Sequence, residues 1–181
     1  MPDFRAQWDT NPASSLVIMR CDPWQFNGTV ALIGDAAHAI VPFYGQGMNA
    51  GFEDCTVLDD LLDAHGEDWA NVLPQYSRKQ KPNGDAIAEL ALLNFIEMRD
   101  LVGQPEFLLQ KKIKAWFSNK HPDRWTPLYT QVTFSHTPYS AALANGRRQE
   151  AIMREVMALP GIEERWDGAE VEALLLERTA R

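Results

Sequence analysis

Apolar residues along this chain change their period near residue 47. Before it they fall in short unbroken runs: Ser15-Leu16-Val17-Ile18-Met19-Arg20, bounded by Asn11-Pro12 and Asp22-Pro23, and Thr29-Val30-Ala31-Leu32-Ile33, which stops at Gly34-Asp35. Runs without polar alternation predict strands buried on both faces. After it they recur at steps of three and four, and Met48, Phe52, Cys55, Leu58 and Leu62 predict an amphipathic helix over 47–63. The same pattern predicts helices over 69–81, ended by Pro82, and over 85–102, stopped by Gly103. A fourth starts with Pro105 at its first position and runs through Trp116 and Phe117. Residues 126–134 read as an extended link and 138–159 as a helix that Asn145-Gly146 can interrupt. Asp167-Gly168-Ala169-Glu170 has the spacing of a capping box, opening a last helix that runs to the C-terminus. The fold class is therefore α+β, a short strand pair followed by a mostly helical bundle. Strands buried on both faces need neighbours that this chain does not supply, so their sheet is expected to be completed from elsewhere.

The 181 residues are 45% hydrophobic and 23% charged, a soluble globular profile. A net charge of -8 excludes a general nucleic-acid binder, which needs a clustered positive excess. No apolar stretch reaches the roughly 20 residues of a membrane span. The first residues lack the layout of a signal peptide, so the chain reads as cytoplasmic. Two cysteines, Cys21 and Cys55, make no disulfide framework and are expected as free thiols, Cys55 in the core.

Candidate chemistry concentrates between Gly34 and Gly51. A buried strand ending at Gly34-Asp35 presents a carboxylate at the carboxyl edge of a sheet, where open sheets bind ligands and where Asp can accept hydrogen bonds from ribose-like hydroxyls. Gly45 and Gly47 then bracket a turn into a helix, whose unpaired N–H groups suit a flat ligand that gains negative charge. Gly45-Gln46-Gly47-Met48-Asn49-Ala50 also fits the loose dinucleotide fingerprint, but Pro42 and a long loop separate it from the strand, so that reading is rejected. Farther on, Leu90, Asn94, Glu97 and Leu101 share one helix face, and two polar groups in an apolar stripe must find partners if buried. A surface pairing of Glu97 with Arg99 or a lysine is the alternative. His38 with Glu53 and Asp54 suggests a metal site only weakly, having one histidine; packing or hydrogen bonding of His38 is the expectation. Lys111, Lys112, Lys114 and Lys120 read as a solvated face opposite Phe107, Leu109, Ile113 and Trp116, and Asp59, Asp60 and Asp63 as a solvated acidic face.

Three blocks in order carry a resemblance. Thr29-Val30-Ala31-Leu32-Ile33-Gly34-Asp35-Ala36-Ala37-His38, continued by Pro42-Phe43-Tyr44-Gly45-Gln46-Gly47-Met48-Asn49-Ala50-Gly51-Phe52-Glu53-Asp54-Cys55, resembles the aromatic-ring flavoprotein monooxygenases, the p-hydroxybenzoate hydroxylase-like family. Asn94-Phe95-Ile96-Glu97-Met98-Arg99 and Pro127-Leu128-Tyr129-Thr130-Gln131-Val132-Thr133-Phe134-Ser135 are similar to its members that hydroxylate L-kynurenine. The resemblance covers about Leu16 to Ser140. It implies FAD as cofactor, NADPH as reductant, and transfer of oxygen from a flavin C4a-hydroperoxide to the aromatic ring, with no protein nucleophile. It implies that Gly34, Asp35, Pro42, Gly45, Gln46, Gly47, Met48 and Asn49 hold the flavin. It places Phe43, Tyr44, Asn94, Glu97, Met98 and Tyr129 around the substrate, the Tyr129 hydroxyl toward its carboxylate.

Set against that family, the chain reads as a C-terminal fragment without the N-terminal dinucleotide-binding half, inactive alone, and completed by that half or by a second copy. Residues 1–60 would supply the end of the substrate sheet, the Gly-Asp strand, the flavin turn and its helix. Residues 61–181 would supply a helical region lining the substrate pocket. Two other readings stay open: hydroxylation of another aromatic acid, or a non-catalytic helical module that binds a protein.

Overall fold

The computed structural model describes residues 2–180; Met1 and the expected run of the last helix to Arg181 lie outside them. A short helix α1 (Phe4–Thr10) leads into an antiparallel hairpin of β1 (Gln25–Phe26) and β2 (Val30–Ala31), with Gln25 opposite Ala31. Then come α2 (Asp35–His38), a 3-10 turn (Pro42–Tyr44), α3 (Gly47–His65) and α4 (Trp69–Ile96). A π-helical turn (Glu97–Leu101) follows, and then α5 (Pro105–Lys120), α6 (Leu128–Thr133), α7 (Tyr139–Met157), α8 (Ile162–Arg165) and α9 (Ala169–Thr179). No helix among the described residues is long and apolar enough to cross a membrane.

Three apolar clusters organise these elements. Trp24, Ala37, Val57 and Tyr76 pack the hairpin against α3 and α4. Ala50, Ile87, Leu90, Val132, Tyr139 and Leu143 join α3, α4, α6 and α7. Ile113, Phe117, Trp125, Met153, Val156 and Leu175 join α5, α7 and α9. At about 1.5–3 kcal/mol per fully buried large apolar side chain, these clusters supply the main stabilising term.

Several expectations are corrected. Residues 15–20 form no strand; Leu16 and Val17 are exposed, and the Met19 amide donates to the Ala39 carbonyl at 2.9 Å. The second run is strand only at β2, because its partner is the two-residue β1 across a turn at Asn27-Gly28. The helices expected over 69–81 and 85–102 are instead one 28-residue helix that passes through Pro74 and Pro82. An interior proline costs about 3 kcal/mol, and the long buried face of α4, from Val72 to Ala91, offsets it. Residues 128–133 are helical rather than extended: Pro127 is the N-cap in an extended conformation, where its ring obstructs nothing.

Asn145-Gly146 does not interrupt α7. Gly146 instead lets Leu128 pack closely on α7, since a Cβ there would lie 2.7 Å from Leu128 Cδ2 and displace that side chain. The capping box does not form: Gly168, not Asp167, is the N-cap of α9, and Glu170 pairs with Arg165 at 3.0 Å. The expected apolar face of α3 holds only in its second half, where Leu58 and Leu62 are partly buried and Leu58 packs on the Trp24 cluster. Ala50, Asp54 and Val57 are its buried residues, while Met48, Phe52 and Cys55 are exposed, so Cys55 is not a core residue.

Candidate functional site

The chain between β2 and α3 is held by a buried polar network centred on Asp54. Its Oδ2 accepts the Gly34 amide at 2.9 Å and lies 2.6 Å from His38 Nε2, while its Oδ1 accepts Gln80 Nε2 at 3.2 Å. Leaving any of these groups buried and unpaired would cost roughly 1–3 kcal/mol, so one carboxylate on α3 fixes turn and helix together. Burial disfavours the charged His38 ring, but the hydrogen bond and charge of Asp54 outweigh it, and the His38 pKa is raised. The expectation of a hydrogen-bonded His38 holds. Its partner, Asp54, read in the sequence only as a member of an unlikely metal set, is the centre of the network.

Gly34 has φ of 59° and ψ of -139°, a conformation that a side chain would strain. Its carbonyl accepts the amides of Ala37 and His38, which starts α2 and leaves the Asp35 side chain exposed beyond the turn. Gly34 also faces Gly51 on α3: a Cβ added at Gly51 would lie 3.7 Å from Gly34 Cα. The Gly-Asp turn and the start of α3 are thus in van der Waals contact.

The Pro42–Tyr44 turn closes on Gly45, left-handed at φ 69°, whose amide donates to the Pro42 carbonyl at 3.0 Å. Space around Gly45 is open on the side a Cβ would occupy. Gln46 is buried; its Oε1 accepts the Tyr139 hydroxyl at 3.2 Å and Asn49 Nδ2 at 2.9 Å. Burial, then the charge of Glu53, pushes the Tyr139 pKa up to about 12, which keeps that hydroxyl a donor. Gln46 therefore acts inward, anchoring the turn, while Met48 and Asn49 lie exposed on the first turn of α3, whose leading N–H groups have no helical acceptors.

Beside this turn is a cavity of about 310 Å³ between the second and third clusters described above. Its walls include Tyr44, Asn94, Glu97 and Tyr129. The Tyr44 and Tyr129 rings stack with centroids 5.7 Å apart and planes 22° apart. Burial, then the charge of Glu97, raises the Tyr44 pKa to about 12. Asn94 donates from Nδ2 to the Phe43 carbonyl at 2.8 Å, which tethers α4 to the turn and leaves Oδ1 free to accept. Glu97 opens the π-helical turn, a distortion frequent at functional sites. Its Oε1 lies 2.6 Å from Lys111 Nζ, so the lysine pairing considered for Glu97 is real, but it sits at the cavity.

Four of the six expected substrate residues thus line one cavity. Phe43 and Met98 do not. The Phe43 ring packs on Phe95 at 4.4 Å, and Met98 is exposed with its sulfur 3.8 Å from Asn94 Nδ2. Sequence reasoning missed Lys111, Lys114 and Glu150 in the wall. The lysine run is not a freely solvated face: Lys111 pairs with Glu97, Lys114 with Glu150 and Lys120 with Glu172, and Lys112 lies over the Trp166 ring at 3.9 Å. The step of three between Lys111 and Lys114, placing both on one helix face, was the available signal.

Comparison with known proteins bears on both halves of the site. Residues 7–91 match the family model described as an FAD binding domain. The chain is 51% identical over 177 residues to a kynurenine 3-monooxygenase of Flavobacterium psychrophilum, covering 98% of this chain and 40% of that protein. Nearly the whole chain is similar to kynurenine 3-monooxygenases. The corresponding protein of Flavobacterium johnsoniae is 53% identical, again over 98% of this chain and 40% of its own length. That of Anopheles gambiae is 48% identical over 145 residues, 80% of this chain and 30% of that protein. The chain spans about 40% of the length of the bacterial relatives named.

These findings correct the expectation of a C-terminal fragment lacking the N-terminal dinucleotide-binding half, and of a fold class placed in the C-terminal part of an FAD-binding fold. The FAD binding domain match lies in the N-terminal half of this chain. It takes in the Gly34-Asp35 turn, the Pro42–Gly45 turn and all of α3. The two short strands pair with each other as a hairpin, and the Gly-Asp and flavin-turn blocks lie inside the matched domain rather than beyond it.

Proposed function

We propose that the chain binds FAD across the Gly34-Asp35 turn and the start of α3, and takes L-kynurenine in the adjoining cavity, as an FAD- and NADPH-dependent aromatic monooxygenase. The observation that carries the reading is the contact between Gly34 and Gly51, which sets the turn bearing the exposed Asp35 carboxylate against the start of α3. That arrangement fits the cofactor. Asp35 can accept hydrogen bonds from sugar or ribityl hydroxyls, and the opening at Gly45 admits a planar ring. The unpaired amides of Gly47, Met48 and Asn49 suit an electron-rich edge. Gly34 and Pro42 shape the two turns, and Gln46 holds the second one from behind.

When bound, the flavin supplies the oxygen chemistry, taking electrons from NADPH. The polypeptide orients and encloses. Tyr44 and Tyr129 offer aromatic walls for a substrate ring, Asn94 Oδ1 and Glu97 accept from an ammonium group, and the Tyr129 hydroxyl donates to a carboxylate. Phe43 shapes the turn between the two sites through its carbonyl, and Met98 flanks Asn94 from outside.

Titration of the purified chain with FAD, followed by L-kynurenine, tests the reading. Quenching of flavin fluorescence and a further spectral change on adding kynurenine are expected. A chain that binds neither ligand contradicts it, and one that perturbs FAD with other aromatic acids but not with kynurenine contradicts the substrate.

A further inference from the structure

The cavity beside the turn has a charge pattern that its aromatic walls do not explain. Its lining carries two ammonium groups, Lys111 and Lys114, and two carboxylates, Glu97 and Glu150. They are matched pairwise, Lys111 with Glu97 at 2.6 Å and Lys114 with Glu150. Lys111 reaches its partner from α5, across the π-helical turn, with Nζ also 5.0 Å from the centre of the Phe107 ring. Its side chain is 49% exposed, so this pair adds little to stability, and its placement asks for another reason.

We propose that Lys111 is a positioning and specificity-determining residue: it holds Glu97 and cancels its charge, so that the cavity selects an aromatic amino acid over the corresponding arylalkylamine. The inference rests on the reading of the cavity as the substrate site and deepens it. A bare Glu97 would attract any ammonium group and repel an α-carboxylate. With Lys111 in place the lining is neutral, and a zwitterion can enter with its ammonium toward Asn94 Oδ1 and Glu97. An ammonium has three donors and Glu97 engages one, so Lys111 keeps capacity for a carboxylate oxygen. Removing Lys111 converts a neutral lining into one of net charge -1. At half-exposed positions such a change alters affinity by about five- to tenfold, in opposite directions for a carboxylate-bearing ligand and a simple amine.

The test compares dissociation constants of the FAD-loaded protein for L-kynurenine and for kynuramine, the amine left when its carboxyl group is removed, by calorimetry at low and high salt. Lys111→Met and Lys111→Gln are expected to weaken kynurenine about five- to tenfold while kynuramine binding holds or tightens. The gap should shrink in high salt, and Lys111→Arg should restore the native preference. Equal weakening of both ligands would mean a merely structural role and overturn the inference, as would variants that keep the native preference. Native protein that binds neither ligand overturns the cavity reading first and this inference with it. Native binding with an unchanged preference in the variants overturns this inference alone.

Discussion

The Gly34 amide donates to Asp54 Oδ2 at 2.9 Å, tying the turn that carries Asp35 to the second turn of α3. The same oxygen holds His38, so one buried carboxylate of α3 ties down both the Gly34 turn and the end of α2. Removing it strands a backbone amide, an imidazole and the Gln80 amide together. Asp54→Ala is expected to destabilise the chain by about 3–5 kcal/mol, the range for breaking a buried pair, read from urea unfolding. A loss below about 1 kcal/mol would mean that the network does not hold the turn.

The His38–Asp54 contact also sets a pH dependence. The folded pKa of His38 is raised, so its contribution is complete below the unfolded value of about 6.5 and disappears as pH climbs through the raised folded value. Stability of the native chain should therefore fall from pH 6 toward pH 8.5 by more than that of His38→Gln. Parallel pH profiles of urea midpoints for the two proteins would contradict this.

Gly84→Ala tests the packing under the turn. A Cβ there would lie 2.6 Å from Trp24 Cη2 and 3.2 Å from His38 Cβ, and Trp24 is 1% exposed with no room to withdraw. Overpacking of this kind costs about 1–3 kcal/mol. A thermal melt that matches the native one would show that the Trp24 site is looser than described.

Asn94 and Tyr129 line the same cavity but should fail differently. Asn94 also donates to the Phe43 carbonyl, so Asn94→Ala should weaken both kynurenine and FAD, the latter by a few-fold through a loosened turn. Tyr129→Phe keeps the stacked ring and should weaken kynurenine alone, by roughly fivefold to tenfold for one lost hydrogen bond. Paired fluorescence titrations separate the two; loss of FAD binding in Tyr129→Phe would contradict the division between the sites.

The sequence shows the start of α3 and the turn before it clearly, because glycine and proline leave few conformations there. It misjudges which face of the first half of α3 is buried. Of the apolar stripe Met48, Phe52, Cys55, Leu58 and Leu62 only the two leucines are partly buried, while the interior takes Ala50, Asp54 and Val57, and the buried Asp54 belongs to a polar network that hydrophobic periodicity cannot register. Pro82 reads as a helix end by local rules, and only the tertiary packing of Ile87 and Leu90 carries α4 past it. Asn94, Glu97 and Tyr129 are legible through spacing and resemblance. Lys111 is not, because its role depends on α5 folding back across the π-helical turn to meet Glu97.

The central claim is that Asp35 and the first turn of α3 hold one flavin. The most direct measurement is the dissociation constant for FAD of the native chain and of Asp35→Ala, with unfolding curves showing both to be folded. Saturable FAD binding by the native chain, weakened about tenfold or more by the loss of a charged acceptor, is the predicted result. Equal binding by the two, or no binding by a folded native chain, would contradict it.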